Sequence, residues 1–311
     1  MNKSPLNISG PYTHQNLTIF LFRGPDQLDG SHYVPLREAM DTKQVVVHET
    51  GNVGQLEAEN LSDISDIFIQ AGDVLKGGRQ DRTIAIDFIV PAKSGRIPIP
   101  AFCVESGRWQ RRNEESQRLF SCSSHAVHAK SVRLAAKLNR SQSAVWEGVA
   151  ASQDDLSASL GKSVHAADSP TSYQLSVEDP DLQRSKVEFR ERLKDLANDP
   201  DVVGYAFYVN NQRNSTDIYT STTLFRKLWD KLLDVAILEA VSCKNKRLTV
   251  PAKEDVEAWL KEAAGAELKD RRNVAPRTRL ATKSCNGTVI FETFDTLTEG
   301  EALLHTNIIA R

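Results

Sequence analysis

Between residues 17 and 104 the apolar side chains come only in short runs, at 17–22, 45–48, 67–70, 84–90 and 97–104, each cut off by Gly, Asn or Asp. Runs this brief cannot sustain a helical stripe, and read as strands separated by turns. The stretch 14–110 is therefore expected to form a β-rich part, interrupted by a short helix at 35–40. Pro98 and Pro100 fall inside the last run. A proline has no N–H to give to a central ladder, so that strand is expected at a sheet edge.

After residue 124 the period changes from two to 3.6. Helices are expected at 125–138 and at 143–160, the second with Trp146, Val149, Ala150 and Leu160 on compatible faces. Asp179-Pro180 opens a third with an N-cap and a first-turn proline, and Leu182, Phe189, Leu193 and Leu196 form its stripe. The clearest helix spans 222–241, burying Leu224, Phe225, Leu228, Leu232, Val235, Ile237 and Leu238, with Trp229 beside them. Another, 253–264, stops at Gly265. Hairpins are expected around 210–214 and around Asn286-Gly287, the strongest short hairpin signal in the chain. The polar stretch 111–124 reads as a mobile loop, and 161–176 as a surface connection. The order strands, helices, hairpin, helices, hairpin predicts an α+β fold. Its N-terminal β-rich layer (14–110) is followed by helices and β-hairpins (125–311), in one compact unit and a single domain over 1–311.

With 40% hydrophobic residues in 311, the chain can bury a core without disulfide or metal staples. A net charge of −2 supplies no field to attract duplex nucleic acid or an anionic membrane, and neither is an expected partner. The N-terminal apolar run is too short for a signal sequence or a membrane span, and a cytoplasmic location with reduced thiols is expected. Cys103, Cys122, Cys243 and Cys285 form no C-x-x-C pair. Cys122, His125 and His128 are three apart, but three such positions on one helix do not share a face, so no zinc or iron site is expected. Gly161-Lys162-Ser163 mimics the end of a phosphate-binding loop, yet the position of its required first glycine is Leu156. No cofactor and no oligomeric state is assigned by these patterns.

One segment is denser in chemistry than the rest. Residues 72–82 pack Gly72, Gly77 and Gly78 with Asp73, Lys76, Arg79, Gln80, Asp81 and Arg82 between two strands. Gly77-Gly78 permits close approach to the main chain, and the basic side chains can hold phosphate or carboxylate. The same composition also suits a charged hairpin whose side chains pair with one another on the surface. A second cluster follows at 103–109. Here Glu105 is a candidate general base and Trp109 a stacking platform. Alternatively Cys103 is a small buried hydrophobe, Glu105 pairs with Arg108, and Trp109 caps the core.

Glu49, Gly72-Asp73 with Leu75, Gly77, Gln80 and Arg82, then Ile97-Pro98, Cys103, Glu105 and Gly107-Arg108-Trp109 together resemble a bacterial family of largely unknown function. That family is named for its association with ADP-ribosylglycohydrolase and the rhodanese-phosphatase superfamily. The similarity continues through Gln142 with Val145-Trp146, and through Phe225, Trp229 and Leu232. The sequence departs from the family pattern at Asp73, where Glu is usual, and at Asp81, where Asn is usual.

The resemblance implies nucleotide or NAD-derived metabolism, with a phosphorylated, nucleotide-like ligand such as ADP-ribose. Glu49, Asp73 and Glu105 are then the acid/base or ribose-hydroxyl partners. Lys76, Arg82 and Arg108 contact phosphate, Gly77 and Gly78 admit the ligand to the main chain, and Gln80 and Trp109 orient the base. The rival reading is a non-catalytic module whose charged loops dock a partner protein. Convergence of these side chains in one concavity favours the first reading, and a flat or scattered arrangement the second.

Overall fold

A computed structural model describes residues 6–110, 112, 115–116, 118–243, 249–297 and 301–311. Strands dominate the start: β1 Asn7–His14, β2 Leu17–Arg23, β3 Tyr33–Pro35, then helix α1 Leu36–Asp41. There follow β4 Val45–Glu49, β5 Gln55–Asn60, β6 Asp66–Ile69, β7 Val74–Gly77, β8 Arg82–Ile84, β9 Phe88–Val90, β10 Ile97–Cys103 and β11 Phe120–Cys122. The helical part holds α2 Lys130–Leu134, α3 Gln142–Leu160, α4 Tyr173–Val177 and α5 Pro180–Leu193. Hairpin strands β12 Val202–Val209 and β13 Gln212–Tyr219 lead to α6 Thr222–Ser242 and α7 Lys253–Ala264. The chain ends in β14 Glu267–Ala275, β15 Thr278–Cys285, β16 Thr288–Asp295 and β17 Ala302–Ala310. The fold is α+β, with strands first and helices and hairpins after them.

The described residues divide into two compact units. The first gathers those among Met1–Ser31, Phe189–Ala236 and Asn245–Arg311. Its frame is an antiparallel eight-stranded sheet in the order β1-β2-β12-β13-β17-β16-β15-β14. Central β12 is buried along its whole length, as its unbroken apolar run requires. On one face Phe20, Phe22, Tyr208, Ile290 and Ile308 pack against Val256 and Trp259 of α7. On the other, Tyr205 meets Phe225 and Trp229 of α6, and its hydroxyl donates to the Leu232 carbonyl at 3.1 Å.

The second unit, His32–Glu188 with Ile237–Lys244, contains the densest segment. Its six-stranded sheet runs β11-β7-β8-β10-β5-β4, and a small three-stranded sheet runs β3-β6-β9. The two edges of the larger sheet meet: His48 bridges Leu119, and the Glu49 amide donates to the Arg118 carbonyl at 3.0 Å. The sheet thus rolls into a small barrel. Paired positions share a face, so Val47, Glu49, Leu56, Ala58, Leu75, Arg82, Ile84, Ile99, Ala101, Cys103 and Phe120 point to one side of it. The opposite side of β7 and the chain beyond β10 supply Val74 and Val104 to a core with Val132, Val145, Val149, Leu156, Tyr173 and Val177.

Several expectations from the sequence change. β10 is an interior strand, because it switches partners along its length: 97–100 pair with β5 and 101–103 with β8. The Pro100 carbonyl accepts from Ala85, on the β8 side, while Ala101 donates to Gly54 on the other. Both prolines therefore aim their missing N–H to the side that β8 does not yet cover. Within 161–176, helix α4 occupies the expected surface connection and is largely buried. In the stretch 111–124, positions 111, 113, 114 and 117 lie outside the described residues, β11 adds a strand to the barrel and Arg112 is buried. The α3 stripe is Val145, Gly148, Val149, Ser152, Gln153 and Leu156, with Trp146 and Ala150 turned outward. The β12–β13 turn needs only Asn210-Asn211, both at positive φ, so β13 begins earlier than expected. Gly265 ends α7 at φ −86°, without the left-handed turn.

Candidate functional site

The β7–β8 hairpin is shaped by its glycines. Gly77 and Gly78 have φ of +115° and +57°, and a Cβ on Gly78 would lie 2.4 Å from the Phe120 ring and 2.8 Å from Glu49 Oε2. Only hydrogen fits there, and the close approach lets Glu49 accept the Arg79 amide at 3.3 Å. Glu49 also accepts the Gly51 amide at 3.0 Å and faces Arg82 Nη2 at 3.5 Å. Arg82 is fully buried, its Nη1 donating to the Gln80 carbonyl at 3.0 Å. Gln80 joins this barrel-side cluster to the chain beyond β10. Its Oε1 accepts from Cys103 Sγ at 3.0 Å, and its Nε2 donates to the Glu105 carbonyl at 3.0 Å. Burial pushes the Cys103 thiol up to about 11, against the pull of Arg82, so it stays protonated and unreactive at neutral pH.

A second cluster lies at Asp81 and Glu105, both fully buried. Asp81 Oδ1 accepts from the Gly77 amide at 3.2 Å and from Arg108 Nη2 at 3.3 Å, and Oδ2 accepts from Arg112 Nη2 at 3.1 Å. Glu105 Oε2 takes Arg108 Nε at 2.7 Å and the Asp81 amide at 3.2 Å, while Oε1 takes the Ser169 hydroxyl at 2.5 Å. Arg112 Nη1 reaches Glu105 Oε1 at 3.5 Å and the Ser172 hydroxyl at 3.3 Å. Two carboxylates are thus interleaved with two guanidiniums. Desolvation, reinforced by the neighbouring Glu105 charge, raises the Asp81 pKa in spite of both arginines. Burial opposes the charge on Arg112, but Asp81, Glu115 and Glu105 together outweigh it and hold the guanidinium more firmly protonated.

Arg108, Arg112 and Ser169 of this cluster line a groove of about 480 Å³, together with Ser106, Gly107, Gln110, Asp168, Pro170 and Thr171. Of the residues nominated from sequence, Arg108 lines the groove, with Glu105 directly beneath it. Glu49, Gln80 and Arg82 join the network from the barrel side. Asp73 Oδ2 instead accepts the Gln70 amide at 3.0 Å, within the turn before β7. Lys76 Nζ is held by Glu178 Oε1 at 2.7 Å. Trp109 stands half exposed under the Arg79 guanidinium, 5.7 Å from its ring centre, and does not line the groove.

Sequence reasoning missed Arg112, which sat in a stretch without periodicity, and Ser169 and Ser172, which only the folded chain brings to the carboxylates. Asp81 was visible as part of the charged hairpin and as a departure from a family pattern. Among the described residues, no three His, Cys, Asp or Glu side chains are grouped to hold a metal ion. No helix among them is long and apolar enough to cross a membrane.

A family model described as "ARG and Rhodanese-Phosphatase-superfamily-associated Protein domain" matches residues 5–309. The chain belongs to this family. No curated protein and no solved structure matches it. The match spans both units, so the hairpin, the barrel and the groove all lie within the family domain.

Proposed function

We propose that the second unit binds a phosphorylated, nucleotide-like small molecule, of the ADP-ribose or NAD-derived kind, in the groove above Asp81 and Glu105. The observation that carries this reading is the pairing of Arg108 and Arg112 on the lining of one concavity, each backed by buried carboxylates. Guanidiniums fixed in this way are pre-organised to meet phosphate oxygens as a fork. The cluster also has a means of accommodating added negative charge. Burial raises the Asp81 pKa, and taking up a proton there leaves a positive surplus on the two arginines for the incoming phosphate. The Ser169 hydroxyl, on the groove lining, is available to ribose or to a polar leaving group. The family's association with ARG, read as ADP-ribosylglycohydrolase, supports the nucleotide half of the proposal.

Thermal melting with ADP-ribose, AMP and inorganic phosphate tests it. The wild type should melt later with ligand, and more so as pH falls toward the range where Asp81 protonates. Arg108→Ala should weaken binding by about 1.5–3 kcal/mol, the scale of a charge-assisted hydrogen bond. A wild-type protein whose melting ignores all three ligands would end the proposal. A second reading, a docking module for a partner protein, is favoured by the exposed Trp109, which carries Arg79, and by the exposed Leu119. Trp109→Ala separates the two: it should leave the groove's ligand response intact under the first reading and abolish partner capture under the second.

A further inference from the structure

Among the described residues, Ser169 is the one hydroxyl that both lines the groove and donates directly to a buried carboxylate of the cluster. Its Oγ lies 2.5 Å from Glu105 Oε1, and Arg108 and Arg112 hold that same carboxylate from other directions. Ser172, three residues on, donates to Asp81 Oδ2 at 3.3 Å but lies below the groove lining. Thr171 lines the groove, but its hydroxyl is committed to the Ser106 carbonyl at 2.5 Å. The neighbouring hydroxyls are thus structural, and Ser169 alone among them has a base on one side and the open groove on the other.

We propose that Ser169 accepts a phosphoryl group from the ligand, forming a covalent phosphoserine in the groove. This rests on the reading that the groove binds a phosphorylated molecule. A hydroxyl is a weak nucleophile until an adjacent base takes its proton, and a phosphoryl group needs cationic donors around its non-bridging oxygens. Both requirements are met within one cluster. Held where they are, the two guanidiniums share their charge with the ligand oxygens, so Glu105 is less fully neutralised and becomes the stronger acceptor. Ser169 Oγ then bonds to phosphorus while its proton passes to Glu105 Oε1. The bond from phosphorus to the leaving oxygen breaks, and its electron pair stays on that oxygen. An alkoxide leaving group takes the proton back from Glu105, whereas an acetate leaves without one and the proton goes to solvent. Water attacking the phosphoserine, with Glu105 again as base, would restore the serine and release phosphate.

Acetyl phosphate is the probe, with intact-mass analysis and fragmentation of the full chain. The expected result is an added mass of one phosphoryl group, mapped to Ser169 in the wild type and absent from Ser169→Ala. Glu105→Gln should slow its formation on the order of a hundredfold, the usual weight of a positioned base. Mapping in the wild type needs no variant to fold. Absence of the adduct, or its placement on another residue, overturns the proposal. A melting shift with inorganic phosphate, measured alongside, separates the two claims. A shift without adduct leaves the groove a reversible binding site, and the loss of both removes the binding reading as well.

Discussion

At Arg108 one side chain serves two purposes that mutation can separate. Its guanidinium bonds Glu105 and Asp81 and also lines the groove, so Arg108→Ala should lower the melting temperature as well as weaken ligand binding. Arg108→Lys keeps the charge but loses the fork, and should restore melting more fully than binding, as read by titration calorimetry beside the melts. Gly78 makes a cleaner case for backbone necessity. Gly78→Ala places a methyl group against both the Phe120 ring and Glu49 at a left-handed φ, and should cost about 1–3 kcal/mol in denaturant unfolding. An alanine variant as stable as the wild type would mean that the hairpin can yield there.

Among the elements, those with a local signal were read correctly and those defined by distant partners were not. Helix α5 begins where Asp179-Pro180 says it should. Asp179 Oδ1 accepts the amides of Asp181 and Leu182 at 2.9 and 3.2 Å. Asp179→Ala should therefore cost about 1 kcal/mol, measured by chemical denaturation. Helices α6 and α7 and the Asn286-Gly287 hairpin were legible for the same reason: cap, stripe and turn are written within a few residues. Strand β14 was invisible because its residues are mostly exposed and charged, with no apolar alternation to read. Strand β10 was visible as a strand but misplaced, since proline reports only that one N–H is missing and not which side of the strand is paired at that point. The candidate site divides similarly. Glu105 and Arg108 stood out as neighbours in sequence, whereas their partnership with Arg112, Ser169 and Asp81 exists only after the loops of the second unit have closed.

For the molecule as a whole, the buried cluster ties stability to pH. Asp81 holds its proton above the ordinary 3.8, so its contribution is fully present below that value. As pH rises from 3.8 toward the raised native value, the unfolded chain sheds this proton first and the contribution is lost. Asp81→Asn removes that dependence. Its melting temperature relative to wild type should therefore climb across that window and level off above it. A difference that is flat with pH would show that Asp81 titrates normally in the folded protein. The eight-stranded sheet has another kind of consequence. Strand β2 is flanked by β12, and β17 stands between β13 and β16, so the first unit's sheet joins segments that lie before and after most of the second unit in sequence. During synthesis the β1–β2 hairpin emerges with Leu17, Ile19 and Leu21 uncovered and must wait for almost the whole second unit to be translated. A message cut short between β16 and β17 leaves the facing edges of β13 and β16 open, the kind of surface that chaperones hold and proteases remove.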